Sequence, residues 1–133
     1  MFPLLVLLSF GCAPVTEAPE STTAAAPAGS SRDIDVAQLA SDLDANKVPL
    51  LVDVRSAGEF AGGHVPGAVN IPLGEITTRT AELKAAEGGE LYLICQSGGR
   101  SGRAAGQLKA LGWNTVNVSG GTAAWISAGK PAE

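Results

Sequence analysis

The clearest indication of the fold class of this 133-residue chain comes from residues 90–101, ELYLICQSGGRS. Their first half, ELYLIC, is a continuous apolar run of the kind that forms a strand buried in a parallel sheet. Gly98 and Gly99 then allow a tight turn, and a helix is expected to begin near Ser101. In α/β proteins, functional sites form where such strands end. The stretch therefore predicts an α/β fold with a site at Cys95, the last residue of the strand.

The segments on either side of this stretch alternate between strand-like and helix-like patterns. Asp35 and Ser56 are suited to cap helices, and Glu59 follows Ser56 at the spacing of a capping box. This alternation predicts an open, mainly parallel sheet of about five strands with helices on both faces. The predicted strands are residues 49–54, 68–71, 90–95 and 115–118 with a short one at Ile34, and the predicted helices are 36–43, 57–60, 75–86, 101–111 and 122–128.

Residues 1–12, MFPLLVLLSFGC, differ in composition from the remainder of the chain. Their apolar run is too short to span a bilayer as a helix, but it is typical of a secretory signal peptide. The run ends at Gly11-Cys12, which resembles the lipobox of bacterial lipoproteins, although Ser9 stands where Leu is usual and no Lys or Arg precedes the run. We therefore expect an exported protein of the cell envelope or periplasm, anchored by a lipid on Cys12. Cleavage by ordinary signal peptidase and an uncleaved membrane anchor are the alternatives.

Residues 13–32 are rich in Ala, Pro, Ser and Thr, and Val15 is their single large apolar side chain. Such a segment cannot bury enough surface to offset its chain entropy, so we predict a flexible tether. The domain is then expected over residues 33–133, a length that suffices for a core without disulfides. A disulfide between Cys12 and Cys95 is a less favoured alternative, because Cys12 precedes the tether and is expected to carry the lipid.

Charge and residue counts argue against two classes of function. The net charge is −4 and the nine Lys and Arg residues are scattered, so the chain lacks the basic stripe that is typical of nucleic-acid-binding proteins. One His and two Cys are too few for the familiar zinc sites. We therefore predict no metal, no nucleic-acid partner, and membrane contact only through the lipid anchor.

Cys95 is the candidate catalytic residue because its surroundings favour a thiolate, the form of cysteine that acts as a nucleophile. A glycine-containing loop that enters a helix directs several backbone N–H groups to one point, and the helix dipole adds positive potential there. Such a cradle stabilises a thiolate, a persulfide or a substrate oxyanion. An inert, buried structural cysteine is the alternative. The predicted substrate- and persulfide-binding loop comprises Gln96, Ser97, Gly98, Gly99, Arg100 and Ser101, in which Arg100 is the only cation.

Three stretches of the chain are similar to the signatures of the single-domain rhodanese-like sulfurtransferase family. They are VDVRSAGEF at 52–60 with GHVPGAVNIP at 63–72, CQSGGRS at 95–101, and GGTAAW at 120–125 with GKP at 129–131. The resemblance covers residues 34–131 and implies a ping-pong sulfurtransferase with no metal or organic cofactor. It implies that Cys95 accepts a sulfane sulfur as a persulfide. Related phosphatases carry Cys-x5-Arg, whereas Cys95 and Arg100 form the shorter Cys-x4-Arg.

Three further side chains, Asp53, Arg55 and His64, have both a structural and a functional interpretation. Asp53 and Arg55 follow a predicted buried strand and are candidates for supporting the site, although an ion pair that organises the loops is the favoured interpretation. His64 is the only candidate general base, but the resemblance implies that its loop is structural. Trp125 is expected to fill the core.

The favoured function is transfer of a sulfane sulfur from thiosulfate or a persulfide to a thiophilic acceptor such as cyanide, another thiol or a partner protein. The chain is expected to act as a monomer. Because Arg100 is the only cation of the loop, we expect thiosulfate, a dianion, to be a weak donor. The alternative is a non-catalytic module of the same fold that binds a protein, carries sulfur or senses oxidants.

Overall fold

A computed structural model describes residues 28–133, which form five strands, four α-helices and one 3-10 helix. The strands are β1 (Ser31–Ile34), β2 (Leu50–Asp53), β3 (Val69–Asn70), β4 (Glu90–Ile94) and β5 (Asn114–Val118). The helices are α1 (Val36–Asp44), α2 (Ala57–Ala61), the 3-10 helix (Thr80–Ala86), α3 (Gly99–Ala110) and α4 (Gly121–Ser127). None of these helices is both long and apolar enough to cross a bilayer.

The five strands form one sheet in the order β1-β5-β4-β2-β3, and every neighbouring pair is parallel. β4 lies at the centre of this order, and four of its five residues are buried. All strands point the same way, so the residues that follow them meet at one carboxyl edge. The predicted fold class, a parallel α/β sheet of about five strands, is confirmed, and Cys95 lies at the middle of that edge.

Helices cover both faces of the sheet, and one apolar cluster lies under each layer. On one face, α3 and the 3-10 helix contribute buried side chains that include Leu108 and Leu83. On the other face, α1 and α4 contribute Leu39 and Trp125, so the prediction that Trp125 fills the core is confirmed. Successive residues of β4 join the two clusters alternately, as expected for a strand buried on both faces. This two-sided packing holds the end of β4 in place.

The first strand, β1, begins at Ser31, two residues before residue 33, the predicted start of the domain after a tether over residues 13–32. Ser31 already pairs with Thr115 in the register of β1 and β5. Gly29 N–H also donates to the carbonyl oxygen of Lys109 at 2.9 Å. The polar composition of this segment conceals the strand, because β1 is an edge strand whose first three residues are exposed. A protein that starts at residue 33 would therefore lack half of β1.

The helix predicted over residues 75–86 is shorter and tighter than expected. Only Thr80–Ala86 is helical, it is a 3-10 helix, and turns precede it. Three threonines within residues 77–80 explain the late start, since β-branched side chains disfavour the α-helix. The predicted inner face is nevertheless correct, because Ile76 and Leu83 are both fully buried.

Candidate active site

The sulfur of Cys95 lies inside the loop that joins β4 to α3. Its Sγ accepts a hydrogen bond from the Gly98 N–H at 3.0 Å and lies 3.3 Å from the Ser101 hydroxyl oxygen. α3 begins at Gly99 rather than at Ser101, so Ser101 belongs to the first turn of the helix. Cys95 is 1% exposed, so protein atoms rather than solvent surround it.

The pKa of the Cys95 thiol lies below its ordinary value. Burial on its own raises this pKa, because a thiolate loses its hydration. The Ser101 hydroxyl and the backbone N–H groups of Ser101, Gly98 and Ser97 lower the pKa by donating hydrogen bonds, and together they outweigh burial. A thiolate inside the loop is therefore favoured by the loop itself, as nucleophilic chemistry at cysteine requires.

Gly98 gives the loop its tight shape. The residue is the N-cap of α3, and its φ of +107° belongs to the left-handed region that glycine adopts freely. A Cβ added here would lie 3.4 Å from the backbone nitrogen of Gly120. Conformation and space thus both favour glycine where the loop folds over the Cys95 sulfur.

The first turn of α4 supports the Cys95 loop from below. Thr122 N–H donates to the Cys95 carbonyl at 2.8 Å, and Ala123 N–H donates to the Gln96 carbonyl at 3.0 Å. Gly121 makes this approach possible, because a Cβ there would press on the Cys95 carbonyl and lie 2.6 Å from the Gln96 carbonyl oxygen. The GGTAAW stretch therefore acts as a backbone support for the residue that carries the sulfur.

Asp53 and Arg55 form a buried ion pair that reaches the loop. Arg55 donates from Nε to both Asp53 oxygens at 3.0 Å and from Nη2 to Oδ2 at 2.7 Å. Its Nη1 donates to the Gln96 side-chain oxygen at 3.2 Å, and Nη2 also donates to the Gly63 carbonyl at 2.7 Å. The pair connects β2, the 62–67 loop and the Cys95 loop, which is the organising role that the sequence favoured.

Arg100 points its charge at α2. Its Nη1 and Nη2 donate to the two carboxylate oxygens of Glu59, each at 2.8 Å, and this pairing lowers the pKa of Glu59 to about 2. Glu59 also forms the predicted capping box with Ser56, which is thereby confirmed. The single cation of the loop is therefore already paired with a carboxylate, an arrangement that the sequence analysis did not anticipate.

Asn117 is a site residue that the sequence analysis missed. It lies on β5, is 8% exposed, and its Oδ1 is 2.5 Å from the Ser101 hydroxyl oxygen. Its Nδ2 donates to the Asp33 carboxylate at 3.0 Å. The available signal was a polar residue between two valines of the predicted strand, Val116 and Val118, which indicates a side chain with a buried partner.

His64 packs as a structural side chain. Its ring stacks on Phe60 with a centroid separation of 3.6 Å, and Nδ1 lies 2.8 Å from the Phe60 carbonyl oxygen. Its backbone pairs in both directions with Glu133. Among residues 28–133, no group of three or more His, Cys, Asp or Glu side chains could hold a metal ion. Cys12, with the predicted signal peptide and lipid anchor, lies outside the described residues.

The chain is similar in sequence to proteins from Bacillus subtilis. It is 37% identical over 100 residues to the "Putative sulfurtransferase YtwF", a match that covers 75% of this chain and 95% of that relative. It is 42% identical over 84 residues to the "Putative sulfur carrier protein YrkF". That second match covers 62% of this chain and 44% of YrkF, so the chain spans less than half of that relative's length.

The fold and the family model lead to the same conclusion. A rhodanese-related protein from Thermoplasma volcanium superposes with a TM-score of 0.69 at 31% identity, and the match covers 77% of this chain and 97% of that one. The model of the rhodanese-like domain matches residues 35–128, which include β2, the Cys95 loop and the first turn of α4. The chain therefore belongs to the family of rhodanese-like domains, whose members include sulfurtransferases.

Proposed function

We propose that this protein is a sulfurtransferase that carries a sulfane sulfur as a persulfide on Cys95. The observation that carries the proposal is the position of the Cys95 sulfur at the N-terminus of α3, where it receives a hydrogen bond from the Gly98 N–H and lies 3.3 Å from the Ser101 hydroxyl oxygen. This arrangement favours the thiolate that must attack a donor sulfur.

The reaction has two displacement steps. The Cys95 thiolate attacks the outer sulfur of thiosulfate, the sulfur–sulfur bond of the donor breaks, and sulfite leaves with the bonding electron pair. An acceptor such as cyanide or a thiolate then attacks the terminal sulfur of the persulfide and regenerates the Cys95 thiolate. A glutathione persulfide can replace thiosulfate, with the glutathione thiolate as the leaving group. Neither step requires a cofactor.

The loop is suited to hold the terminal sulfur between the two steps. A persulfide places negative charge one atom beyond Sγ, and the N–H groups of the loop and the positive end of α3 can stabilise that charge. The short Cys-x4-Arg spacing supports a cradle of this size. The Gly98 nitrogen lies 3.0 Å from the Cys95 sulfur, so the loop folds closely around that atom.

A sulfur carrier that lacks rapid turnover is the second candidate. The observation that favours it is the similarity to YrkF, a relative named as a putative sulfur carrier protein. A carrier and an enzyme both need a persulfide on Cys95, but they differ in the rate of release to small acceptors. A persulfide that survives cyanide and yields its sulfur only to a protein thiol would favour the carrier.

Intact mass measurement tests the proposal directly. We expect the full chain carrying Cys12→Ser to gain one sulfur atom on treatment with thiosulfate or glutathione persulfide, and to lose it on addition of cyanide. Cys95→Ser in the same background is the matched control and is expected to gain none. Absence of any gain with both donors would refute the sulfurtransferase assignment and leave a protein-binding module of this fold.

We also propose that the protein is exported and anchored to the cell envelope through a lipid on Cys12. The apolar run over residues 4–10 and the Gly11-Cys12 pair support this assignment. Labelling cells with a radioactive fatty acid is expected to mark the wild-type chain and not the Cys12→Ser variant. Equal labelling of the two proteins, or none of either, would refute lipidation at this residue.

A further inference from the structure

The Ser101 hydroxyl has three neighbouring acceptors but only one hydrogen to donate. Its Oγ lies 3.3 Å from the Cys95 sulfur, 3.3 Å from the Gly98 carbonyl oxygen and 2.5 Å from Asn117 Oδ1. A carbonyl or amide oxygen cannot donate, so the contacts with Gly98 and Asn117 require the hydroxyl hydrogen, and the contact with the Cys95 sulfur requires it once the thiol has become a thiolate. The acceptor that receives this hydrogen decides how many hydrogen bonds stabilise a negative charge on the sulfur.

The neighbours of Asn117 fix the orientation of its amide. Nδ2 lies 3.0 Å from the Asp33 carboxylate and 3.5 Å from the Gly98 carbonyl, and both of these groups accept only. The amide oxygen must therefore face Ser101. α3 covers the amide, because a Cβ added at Gly102 would lie 3.5 Å from the same Nδ2. Asp33 thus holds Asn117 with its acceptor directed at the Ser101 hydroxyl.

We propose that Asp33 and Asn117 are positioning residues that draw the Ser101 hydrogen away from Cys95 and so moderate the stability of its thiolate. The sulfur then retains the Gly98 N–H as its donor, while the Ser101 hydroxyl binds Asn117. When the sulfur becomes negative, the hydroxyl turns to it and Asn117 loses its donor. Because the hydroxyl must give up its hydrogen bond to Asn117, its hydrogen bond to the sulfur stabilises the thiolate less than it would if Asn117 were absent. The proposal rests on the proposed function of Cys95 and adds residues from β1 and β5 to the site.

The other charges near the loop occur mainly as pairs. Asp53 with Arg55 approaches from β2, and Glu59 of α2 is paired with Arg100 of α3. Arg103 lies on the exposed side of α3. These groups are unchanged in the variants below. The carboxylate of Asp33 is exposed, and its own negative charge also opposes a thiolate, so a test must separate this charge effect from the hydrogen-bond effect.

The test measures the titration of Cys95 through its rate of alkylation by iodoacetamide at a series of pH values. The full chain carries Cys12→Ser, so that Cys95 is the only thiol. We expect Asp33→Asn to lower the midpoint by about one pH unit, because the Asn117 amide can then reverse and release the Ser101 hydrogen. Asn117→Ala removes the competing acceptor and is expected to shift the midpoint in the same direction.

Ser101→Ala provides the control that separates the two effects. In this background the hydroxyl is absent, so Asp33→Asn is expected to shift the midpoint much less than it does when Ser101 is present, because only the effect of the Asp33 charge persists. An equal shift with and without Ser101 would overturn the proposal, and so would an unchanged midpoint in both single variants. Circular dichroism checks that each variant is folded. Alkylation does not depend on sulfur transfer, so failure of the persulfide experiment and failure of this one are distinguishable.

Discussion

Replacing Arg55 by Met is expected to destabilise the domain more than most single substitutions. Asp53 is fully buried, and the Arg55 side chain supplies it with three hydrogen bonds through Nε and Nη2. Arg55 is itself 3% exposed, so a Met side chain of similar length fills the space but leaves a buried carboxylate without its cation. Breaking a buried pair in this way costs about 3–5 kcal/mol.

Urea unfolding and thermal unfolding, each followed by circular dichroism, measure this loss of stability. In a domain of about 100 residues, each kcal/mol corresponds to about 4–8 °C in Tm, so we expect the melting temperature to fall by at least about 12 °C. The Gln96 side chain and the Gly63 carbonyl also lose their donor, so we expect the Cys95 loop to become more mobile and iodoacetamide to react faster with Cys95.

The double variant Asp53→Leu with Arg55→Met is the matched control. Replacing both partners by apolar side chains removes the buried charge, so we expect the double variant to be more stable than Arg55→Met alone. A loss below about 1 kcal/mol for Arg55→Met would refute the reasoning, because it would mean that the carboxylate does not need its partner. A double variant that is less stable than Arg55→Met alone would contradict it as well.

Three further predictions concern the loop and its support. Gly121→Ala is expected to lower the free energy of unfolding by more than about 2 kcal/mol and to reduce persulfide formation, because the φ of +59° and the nearby Gln96 carbonyl exclude a Cβ. Gly106→Ala is the control, since a Cβ there meets open space, and urea unfolding should show it to be neutral or stabilising by about 0.5–1 kcal/mol. Gly99→Arg adds an unpaired cation at a position where a Cβ meets nothing within 4 Å, so we expect the KM for thiosulfate to fall about fivefold. Gly99→Gln is the uncharged control and should leave the KM unchanged; an unchanged KM in Gly99→Arg, or an equal fall in both variants, would show that charge has no role. The pKa of Cys95 is lower in the folded than in the unfolded chain, so the free energy of unfolding should rise with pH from the folded pKa up to the unfolded value of about 8.5–9, and this contribution is absent below the folded pKa. Urea unfolding at a series of pH values measures the rise, and a Cys95→Ser protein that shows the same rise would contradict the prediction.

The parts of the fold that the sequence predicts well are those set by local patterns. The apolar run of β4, the glycines before α3 and the Ser56 capping box each depend on residues within a few positions of one another. The start of β1 is different, because its exposed polar residues become a strand only by pairing with β5. Strand pairing over such a distance leaves no local pattern to detect.

The candidate site shows the same division. Cys95 and its loop are contiguous in the chain, so their chemistry can be inferred from one short stretch. The pairing of Arg100 with Glu59 joins residues 41 positions apart, and the contact between Asn117 and Asp33 joins residues 84 positions apart. These contacts are set by which helix and strand lie side by side, which a single sequence does not specify.

The position of β1 in the sheet has a consequence for the order of events during biosynthesis. Among the strands of residues 28–133, β1 is the first in sequence but pairs only with β5, the last of them, and the Cys95 loop contacts α4, which follows β5. A chain emerging from the ribosome therefore lacks both the partner of β1 and the helix that supports the Cys95 loop until residues 114–127 have been synthesised. Contacts between such distant segments slow folding, typically to milliseconds or longer. The reactive thiolate is thus among the last features of the molecule to form.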